Sequence, residues 1–504
     1  MAFFPVNKSD LNARAWSACD IILISGDAYV DHPSFGVPII ARSLEAAGFK
    51  VGIIAQPDWH NDADFMALGA PRLFFGISSG NMDSMVNHYT AQRRLRSDDA
   101  YSPEGNSGKR PDRAVMIYTN IVKRLFKGIP VVIGGVEASL RRIAHYDYWQ
   151  DKVRNSILAD SKADLLIYGM AESTITKLAR FLDAGKKIHE LSNMPSTVCF
   201  TKEVGELRLP DADACHDKHT FHLMNREFYN HYATSALYQL NGGRWIKHNP
   251  PAPALSSKQM DQIYSLPFMN APHPMYKGAL IPAWEQIKQS ITSHRGCYGG
   301  CNFCAIAIHQ SRKIQSRSAA SIVEEATKLT GSISDVGGPS ANMYQSYCKR
   351  GFPDDCPRRS CVFPEICPNL VLNHEAQLRL LDAISKLPSV KHVFIASGIR
   401  HDLALGNKPY IKAIAAKYTG GRLKLAPEHS APNVLRLMGK PPIERFEAFS
   451  KEYFEEVRKA GIKRQIIPYI IIGHPGTTMD DALALKHWLE KHKIHVEQVQ
   501  EFTP

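Results

Sequence analysis

Three cysteines in the second half of the chain stand close enough in sequence to bind one metal centre. Cys297, Cys301 and Cys304 follow the spacing C-x3-C-x2-C, and Gly299 and Gly300 lie between the first two. Three thiolates on one short loop can hold three irons of a cubane and leave the fourth iron without a protein ligand. An open coordination position is what a metal needs for chemistry, whereas structural sites are usually closed. The spacing therefore predicts a 4Fe-4S cluster with one open iron.

A structural zinc site is the alternative for the same loop. It would need a fourth ligand, for which His294 and His309 are candidates. Zinc ribbons, however, favour paired C-x2-C units. His294 and Arg295 directly precede the loop, and we expect them to stabilise the negative charge of a bound cluster.

A second group of cysteines follows in a proline-rich segment, 345–370, which has little helical or strand pattern. Its members are Cys348, Cys356, Cys361 and Cys367. A loop this long and irregular needs something to hold it. Four thiols suggest zinc or a second Fe-S cluster, whose binding would supply the folding energy of the loop. Free thiols and disulfides are the alternatives.

The three-cysteine loop, with Phe303 before its last cysteine, resembles the signature of the radical S-adenosylmethionine superfamily. Segments 26–36, 295–301, 305–310 and 314–318 resemble the YgiQ-type family of uncharacterised radical enzymes. This resemblance covers nearly the whole chain. It implies a six-unit βα barrel, a 4Fe-4S cluster and S-adenosylmethionine as cofactors, and cleavage of S-adenosylmethionine to methionine and a 5′-deoxyadenosyl radical. It implies no particular substrate.

The same resemblance implies contacts with S-adenosylmethionine at the ends of the barrel strands. A Gly-Gly turn would meet the cofactor's amino group, polar side chains after the next strand would reach its ribose or carboxylate, and an aromatic and a later Gly-rich turn would lie near adenine. The residues at these positions are Phe303, Gly337, Gly338, Ser397, Arg400, Gly473 and Pro475. Core packing, a helix N-cap and plain tight turns are the alternatives.

The first part of the chain, 1–245, alternates strand and helix patterns and predicts a parallel sheet with crossover helices. Its strand candidates are 20–26, 51–55, 73–78, 130–135 and 163–169. The domain resembles the cobalamin-binding-like domains that precede many radical barrels. The axial-ligand pattern Asp-x-His-x-x-Gly is absent from 31–36, so we expect a recognition or lid domain and argue against cobalamin.

The rest of the chain predicts a connector and a second α/β domain. Prolines in 246–277 predict a stiff connector. From 278 to 504 the pattern predicts six βα units, which would form a partial barrel with a Cys-rich insertion at 345–370. The strand candidates are 287–293, 331–336, 390–396, 422–426, 466–472 and 496–502. Because the chain stops just after the sixth strand, we expect that a C-terminal extension is missing.

The charge balance and the hydropathy pattern constrain partners and location. The formal net charge is +12, which fits a polyanionic partner such as RNA or the ribosome, or a basic enzyme with solvated lysines. We see no secretory signal and no stretch near the roughly 20 apolar residues of a membrane helix, which predicts a cytoplasmic protein. We predict a radical enzyme that takes electrons from a flavodoxin or ferredoxin. The alternative is a non-enzymatic, metal-stabilised RNA- or ribosome-binding module.

Overall fold

The computed structural model describes residues 2–503 and shows an α/β chain. The chain divides into two compact units, one of Met1–Pro253 with Leu266–Lys288 and one of Ala254–Ser265 with Gln289–Pro504. The strands of the first unit are β1 (Ile21–Ser25), β2 (Val30–Asp31), β3 (Val51–Ala55), β4 (Phe74–Ser78), β5 (Val131–Gly134), β6 (His145–Asp147), β7 (Lys152–Arg154), β8 (Leu165–Ile167), β9 (Thr197–Phe200), β10 (Leu237–Asn241), β11 (Arg244–His248) and β12 (Ala271–Pro272). Its helices are Lys8–Ala13, Gly36–Ala46, Asp62–Phe65, Ser84–His88, Ala114–Leu125, Gly135–Leu140, Ile157–Ser161, Glu172–Asp183, Lys218–His231 and Pro282–Ile287.

The first unit is built on one sheet, which has eight strands within the described residues, in the order β10-β11-β9-β8-β5-β4-β1-β3. The five strands from β8 to β3 run parallel, and each matches a predicted strand. Their apolar side chains are buried on both faces, as expected for a parallel sheet covered by crossover helices. The predicted N-terminal parallel sheet is therefore confirmed.

The carboxyl ends of β1 and β4 carry a buried ion-pair network. Asp27 follows β1 directly and accepts a bond from Arg110 (Nη2 to Oδ1, 3.0 Å). The same guanidinium donates to the carbonyl oxygen of Ser79 at 2.8 Å and pairs with Asp99 at 3.1 Å. Burial raises the pKa of Asp27 to about 6, although the charge of Arg110 lowers it. The long loop that carries Arg110 thus reaches the edge of the sheet where ligands of doubly wound folds lie.

The strands of the second unit are β13 (Ser290–Thr292), β14 (His294–Arg295), β15 (Gln315–Ser316), β16 (Gly331–Ile333), β17 (Asp335–Gly337), β18 (Tyr347–Cys348), β19 (Leu370–Val371), β20 (Val390–Val393), β21 (Arg422–Glu428), β22 (Gln465–Ile472) and β23 (Gln498–Glu501). Its helices are Ser257–Tyr264, Ile306–Gln310, Ala319–Thr327, His374–Ser385, His401–Ala404, Lys408–Ala413, Pro432–Met438, Ile443–Lys459 and Met479–Lys491.

Each of the six predicted barrel strands coincides with a strand of the second unit, and β16 and β17 together form the second one. The parallel ladders join β13 to β17, β16 to β20, and β21 to β22 and β23. Between β20 and β21 the backbone contacts are isolated, such as the bridge of Ile399 to Leu425. The pairing therefore establishes a parallel α/β unit, and the six-unit partial barrel stays a prediction.

The segment 246–277, which we predicted as a connector, is more structured than its prolines indicated. It contains the end of β11, which pairs within the sheet of the first unit, and the helix Ser257–Tyr264, which belongs to the second unit. Ser256 caps this helix through a reciprocal capping box with Gln259. None of the helices between residues 2 and 503 is both long and apolar enough to span a membrane.

Candidate metal centre

The three-cysteine loop is carried by a short antiparallel pair of strands. β14 leads into the loop, and β15 returns beside β14 after the helix Ile306–Gln310. Across the base of the loop, the N–H of Cys297 donates to the carbonyl oxygen of Ser311 at 3.1 Å. At its far end, the N–H of Cys304 donates to the carbonyl oxygen of Cys301 at 3.1 Å. These bonds hold all three thiols on one turn of chain.

Two of the sulfurs border a common space beside Gly299. A Cβ atom at Gly299 would lie 3.2 Å from the Sγ of Cys297 and 3.7 Å from the Sγ of Cys301. The N–H of Gly299 also donates to the Sγ of Cys297 at 3.4 Å. Because residue 299 has no side chain, both sulfurs and the Nη1 of Arg400, which lies 2.9 Å from the same Cβ position, can pack closely around its backbone. Three thiols on one loop, two of them beside this glycine, are the donor set that the predicted cluster needs.

Two further glycines let the backbone fold closely around the loop. Gly296 and Gly300 have φ angles of +88° and +62°, a region that favours glycine. A Cβ at Gly296 would meet the carbonyl oxygen of Lys313 at 2.1 Å, and one at Gly300 would meet that of Arg359 at 2.4 Å. Any other residue at either position would push the loop away from its neighbours.

Arg400 is the cation that contacts the loop. Its Nη1 lies 3.7 Å from the Sγ of Cys301. Asp402 holds the rest of the guanidinium through two bonds, Nε to Oδ1 at 3.1 Å and Nη2 to Oδ2 at 2.8 Å. We predicted that Arg400 reaches the ribose or carboxylate of S-adenosylmethionine, but in the structure it is directed at the cysteine loop.

A second buried pair lies at the end of β21. Lys440 donates to the carbonyl oxygen of Ala426 at 2.6 Å and lies 3.7 Å from the carboxylate of Glu428. Glu428 has a φ of +72°, an uncommon backbone conformation for a residue with a side chain. Burial raises the pKa of Glu428, although Lys440 lowers it. The positive charge of Lys440 also acts on the thiol of Cys297.

Burial favours the protonated form of two of the loop thiols, those of Cys297 and Cys304. Burial raises the pKa of Cys304 to about 12. Burial also raises the pKa of Cys297, against the N–H of Gly299 and the charge of Arg400, which lower it. Since only the thiolate binds iron, cluster assembly must release these protons.

The two residues directly before the loop differ in charge. His294 is fully buried, and burial lowers its pKa to about 4, which favours the neutral ring at pH 7. Arg295 donates to the hydroxyl of Tyr264 at 3.2 Å and lies over that ring at 5.3 Å. His294 therefore adds no positive charge beside the loop, and a stabilising role of Arg295 stays a prediction.

Three of the residues implied for S-adenosylmethionine come together at the ends of β17 and β20. A Cβ at Gly337 would lie 2.0 Å from the Oγ of Ser397, and one at Gly338 would lie 2.7 Å from the ring of His294. Ser397 is exposed, and both its N–H and its hydroxyl donate to Asp335, at 3.0 and 3.1 Å. The turn is therefore tightly packed on one side and open at Ser397.

Phe303 and the end of β22 share a small apolar cluster. Phe303 packs against a cluster that contains Met438 and Ile471, and Ile471 is two residues before Gly473. Gly473 has a φ of +69° with no other atom within 4 Å of its Cβ position. The carbonyl of Pro475 bonds the ring of His474 at 3.0 Å. The structure thus brings Phe303 toward the strand that ends at the turn 473–476.

Part of the segment that carries the second cysteine group packs against the three-cysteine loop. The N–H of Cys361 donates to the carbonyl oxygen of Tyr298 at 3.0 Å, and the hydroxyl of Ser360 donates to the carbonyl oxygen of Gly299 at 2.6 Å. Cys361 and Cys367 are buried in an apolar cluster around Tyr298. These contacts, together with the pair of β18 and β19, hold the irregular segment that we expected a metal to hold.

The thiols of the described residues, 2–503, are all free, including the half-buried Cys348 and Cys356. Within the same residues, no three Cys, His, Asp or Glu side chains are gathered so as to hold a metal ion. A bound cluster would have to draw the three loop thiols together, and its binding free energy would then stabilise that arrangement of the loop. The second metal stays a prediction.

Sequence reasoning missed Asp402, Lys440 and Ser360. The Arg-x-Asp spacing of Arg400 and Asp402 was the available signal for the first, since two residues suffice for a bidentate pair. Lys440 and Ser360 reach the site through tertiary contacts, for which the sequence offers no local pattern.

Known proteins match this chain over its whole length. The family model described as Radical SAM N-terminal matches residues 3–290, and that of the Radical SAM superfamily matches residues 291–489. A UPF0313 protein of Rhodopseudomonas palustris is 45% identical over all of this chain and 80% of its own length. A UPF0313 protein of Methanocella arvoryzae is 48% identical, over 99% of this chain and 86% of its own length. The UPF0313 protein YgiQ of Escherichia coli K12 is 42% identical, over 100% of this chain and 78% of its own length.

Two solved structures share the fold at low sequence identity. One is the radical S-adenosylmethionine methyltransferase TsrM of Kitasatospora setae with cobalamin and a [4Fe-4S] cluster bound. Its TM-score is 0.55 at 15% identity, over 95% of this chain and 71% of that one. The other is the cobalamin-dependent S-adenosylmethionine radical enzyme OxsB with aqua-cobalamin bound. Its TM-score is 0.51 at 12% identity, over 96% of this chain and 54% of that one.

These matches overturn our argument against cobalamin. We took the absence of the pattern Asp-x-His-x-x-Gly from 31–36 as evidence that the first domain binds none. The structures that share this fold are of cobalamin-bound enzymes, so the prediction against cobalamin is wrong. The missing motif does not count against the cofactor.

Proposed function

Because the chain belongs to the radical S-adenosylmethionine superfamily and, within it, to the YgiQ-type UPF0313 family, we propose that Cys297, Cys301 and Cys304 ligate three irons of a 4Fe-4S cluster and leave the fourth iron for S-adenosylmethionine. The observation that carries this proposal is the placement of two cysteine sulfurs and a buried guanidinium around Gly299. An enzyme of this family is favoured over a binding module, whose metal site would be closed.

When bound, the reduced cluster supplies the electron that splits S-adenosylmethionine into methionine and a 5′-deoxyadenosyl radical. The chain's own residues hold and shield the reactants. The loop's glycines let the backbone pack closely around the sulfurs, and the neighbouring buried side chains would keep water from a bound cluster. The electron comes from a reductant of the flavodoxin or ferredoxin class.

We assign the S-adenosylmethionine contacts to the residues that the family resemblance implied. Gly337, Gly338 and Ser397 are supported by their closeness at the ends of β17 and β20. Phe303 is supported by its packing against the cluster that includes Ile471, which lies near Gly473 and Pro475 in sequence. Arg400 is assigned to the cluster side of the site, because its guanidinium is already committed to Asp402 and Cys301.

We also propose that the insertion cysteines Cys348, Cys356, Cys361 and Cys367 bind zinc or a second Fe-S cluster. Support comes from Cys361 and Cys367, which are both buried, with the N–H of Cys367 bonded to the carbonyl of Cys361 at 2.8 Å. A variant with alanine at positions 297, 301 and 304 isolates this site. Stoichiometric zinc or iron in that variant supports the second metal, and its absence rules it out.

The substrate class we propose is a polyanion such as RNA or a ribosomal component. The support is the formal net charge of +12, from 61 lysines and arginines against 49 acidic residues. A basic protein gains binding free energy from phosphates whatever their sequence. Binding of labelled RNA at increasing salt tests this class separately from the radical chemistry.

The deciding experiment for the radical chemistry is anaerobic purification, reconstitution with iron and sulfide, reduction with dithionite and a chromatographic assay for 5′-deoxyadenosine. We expect about four irons per chain at the loop, with further iron only if the insertion cysteines hold a second Fe-S cluster, and product that disappears in Cys301→Ala. Cys199→Ala, in a buried strand of the first unit, is the matched control and should keep both. Zinc in place of iron at the loop would refute the proposal.

A further inference from the structure

We infer that the Arg400–Asp402 pair sets the reduction potential of the cluster, with Arg400 raising the potential and Asp402 moderating it. Arg400 is a positioning residue in this role, because it acts on the metal through the sulfur of Cys301. The inference rests on the proposed cluster and deepens it, since the potential decides which reductant can supply the electron.

The guanidinium of Arg400 is fixed in place from both sides. Its backbone is clamped by Asn342, whose side chain accepts from the N–H of Arg400 at 2.9 Å and donates to its carbonyl oxygen at 2.9 Å. Asp402 binds two of its nitrogens, which leaves Nη1 directed at the Sγ of Cys301. The Cβ position of Gly299 lies 2.9 Å from the same Nη1. The cation thus lies beside two of the sulfurs that would bind the cluster.

Both members of the pair keep their charge at the site. An arginine stays protonated in proteins. Burial would raise the pKa of Asp402, but the charge of Arg400 holds it at about 2, so the carboxylate is ionised at neutral pH. Arg400 and Asp402 are 8% and 4% exposed. Solvent therefore screens these charges little, and they act strongly on a buried neighbour.

Reduction adds one electron to the cluster and makes it more negative by one charge. A cation beside a ligating sulfur favours the more negative state, and so does an N–H donated to that sulfur, because both stabilise added charge. Arg400 therefore eases reduction and raises the potential. Asp402 has the opposite effect on the electrostatic potential at the cluster, because it cancels part of the guanidinium charge.

The test compares midpoint potentials of the reconstituted proteins in a dithionite titration followed by electron paramagnetic resonance, without S-adenosylmethionine. Arg400→Gln should lower the equilibrium constant for reduction by about tenfold, which is about 59 mV for a one-electron couple. Asp402→Asn, which keeps the guanidinium and removes the opposing charge, should shift the potential upward. Arg400→Lys keeps the charge and should recover part of the loss.

A buried ion pair elsewhere in the same unit provides the control. Arg317 is 1% exposed and pairs with Glu325, while its other bonds go to Thr292 and Ser321. Arg317→Gln removes an equally buried cation and should leave the midpoint potential unchanged. Circular dichroism and iron content establish that each variant is folded and loaded before its potential is compared.

Opposite shifts in the two variants distinguish charge from packing, because a packing defect has no reason to change sign between them. An unchanged potential in Arg400→Gln, or a downward shift in Asp402→Asn, would overturn the inference. If Arg400→Gln does not retain iron, the direction of the Asp402→Asn shift decides alone. A wild-type chain that assembles no cluster would instead refute the proposed function.

Discussion

A side chain at Gly299 would meet both a sulfur and a guanidinium. Its Cβ would lie 3.2 Å from the Sγ of Cys297 and 2.9 Å from the Nη1 of Arg400. The second distance is shorter than real Cβ contacts, so one group would have to move. Because Asp402 and Asn342 fix Arg400, the loop is the part that would give way. The loop's ability to hold iron therefore depends on the absence of a side chain at this residue.

We expect Gly299→Ala to weaken iron binding by about tenfold or more, which is typical of changes beside a metal ligand. The measurement is iron per chain after reconstitution over a range of iron concentrations, with circular dichroism to confirm folding. Gly36→Ala is the control, because its Cβ would meet Asn81 at an ordinary 3.7 Å. A Gly299→Ala protein that binds iron as wild type does would show that the cluster does not use this space.

The sequence was sufficient to predict the thiols and insufficient to predict the charge beside them. Cys297, Cys301 and Cys304 share one short loop, so their spacing reports their geometry. Arg400 reaches the same loop from a position 99 residues beyond Cys301, and its direction is set by Asp402. His294, next to the loop in sequence, is buried and neutral, so for that residue closeness in sequence was misleading.

At the scale of elements, the Cys-rich insertion is a cover for the three-cysteine loop. The hydroxyl of Ser360 donates to the carbonyl of Gly299 and accepts from the N–H groups of Val362 and Phe363, at 3.1 and 3.0 Å. Ser360 is 6% exposed, so water does not compete freely for these bonds. One hydroxyl thus ties the turn of the insertion to the loop.

Ser360→Ala should loosen the insertion without unfolding the unit. The change leaves a carbonyl and two N–H groups without their partner, and each buried group so left costs about 1–3 kcal/mol. We expect amide exchange of the segment 360–367 to speed up by about tenfold or more, since about 1.4 kcal/mol is a factor of ten. Mass spectrometry of deuterated peptides measures it.

The control for this change is Ser385→Ala, because the exposed Ser385, the last residue of the helix His374–Ser385, donates its hydroxyl to the carbonyl oxygen of Asp382 at 2.8 Å. It should leave exchange in 360–367 unchanged. Equal exchange in Ser360→Ala and wild type would mean that the insertion is held by its apolar contacts around Tyr298 and not by this hydroxyl.

Strand positions were predictable where local pattern suffices. All six candidates of the second unit carry strands, because runs such as 466–472 combine apolar and β-branched residues. Which strands pair was not predictable, because ladder bonds join backbones distant in sequence. The irregular insertion could not be placed either, since its hold on the loop comes from contacts such as Ser360 to Gly299 rather than from periodicity.

At the scale of the whole molecule, a fold is shared more widely than a ligand motif. The N-terminal sheet was predictable from alternating patterns. The likeness of the whole chain to TsrM extends over 95% of the chain at only 15% identity. At that identity side chains have been exchanged while the layers persist. This is why the absence of one short pattern in 31–36 was a poor guide to cobalamin: a fold can persist while the residues that contact a ligand change.

Net charge is also a property of the whole molecule, and it carries the proposal that the substrate is a polyanion. If the excess of 12 positive charges serves RNA, the logarithm of the binding constant should fall linearly with the logarithm of the salt concentration. The slope should be about −0.7 for each phosphate neutralised on a single strand. Fluorescence anisotropy of labelled RNA, at several salt concentrations and with the reconstituted protein, measures this slope.

Heparin, a polyanion without bases, is the competitor that separates charge from recognition. RNA that still binds when heparin is in excess would identify a nucleic-acid substrate, because contacts to bases or ribose survive the loss of charge attraction. Complete displacement by heparin would reduce the binding to charge alone, and absence of binding at low salt would remove RNA from the substrate class while leaving the radical chemistry intact.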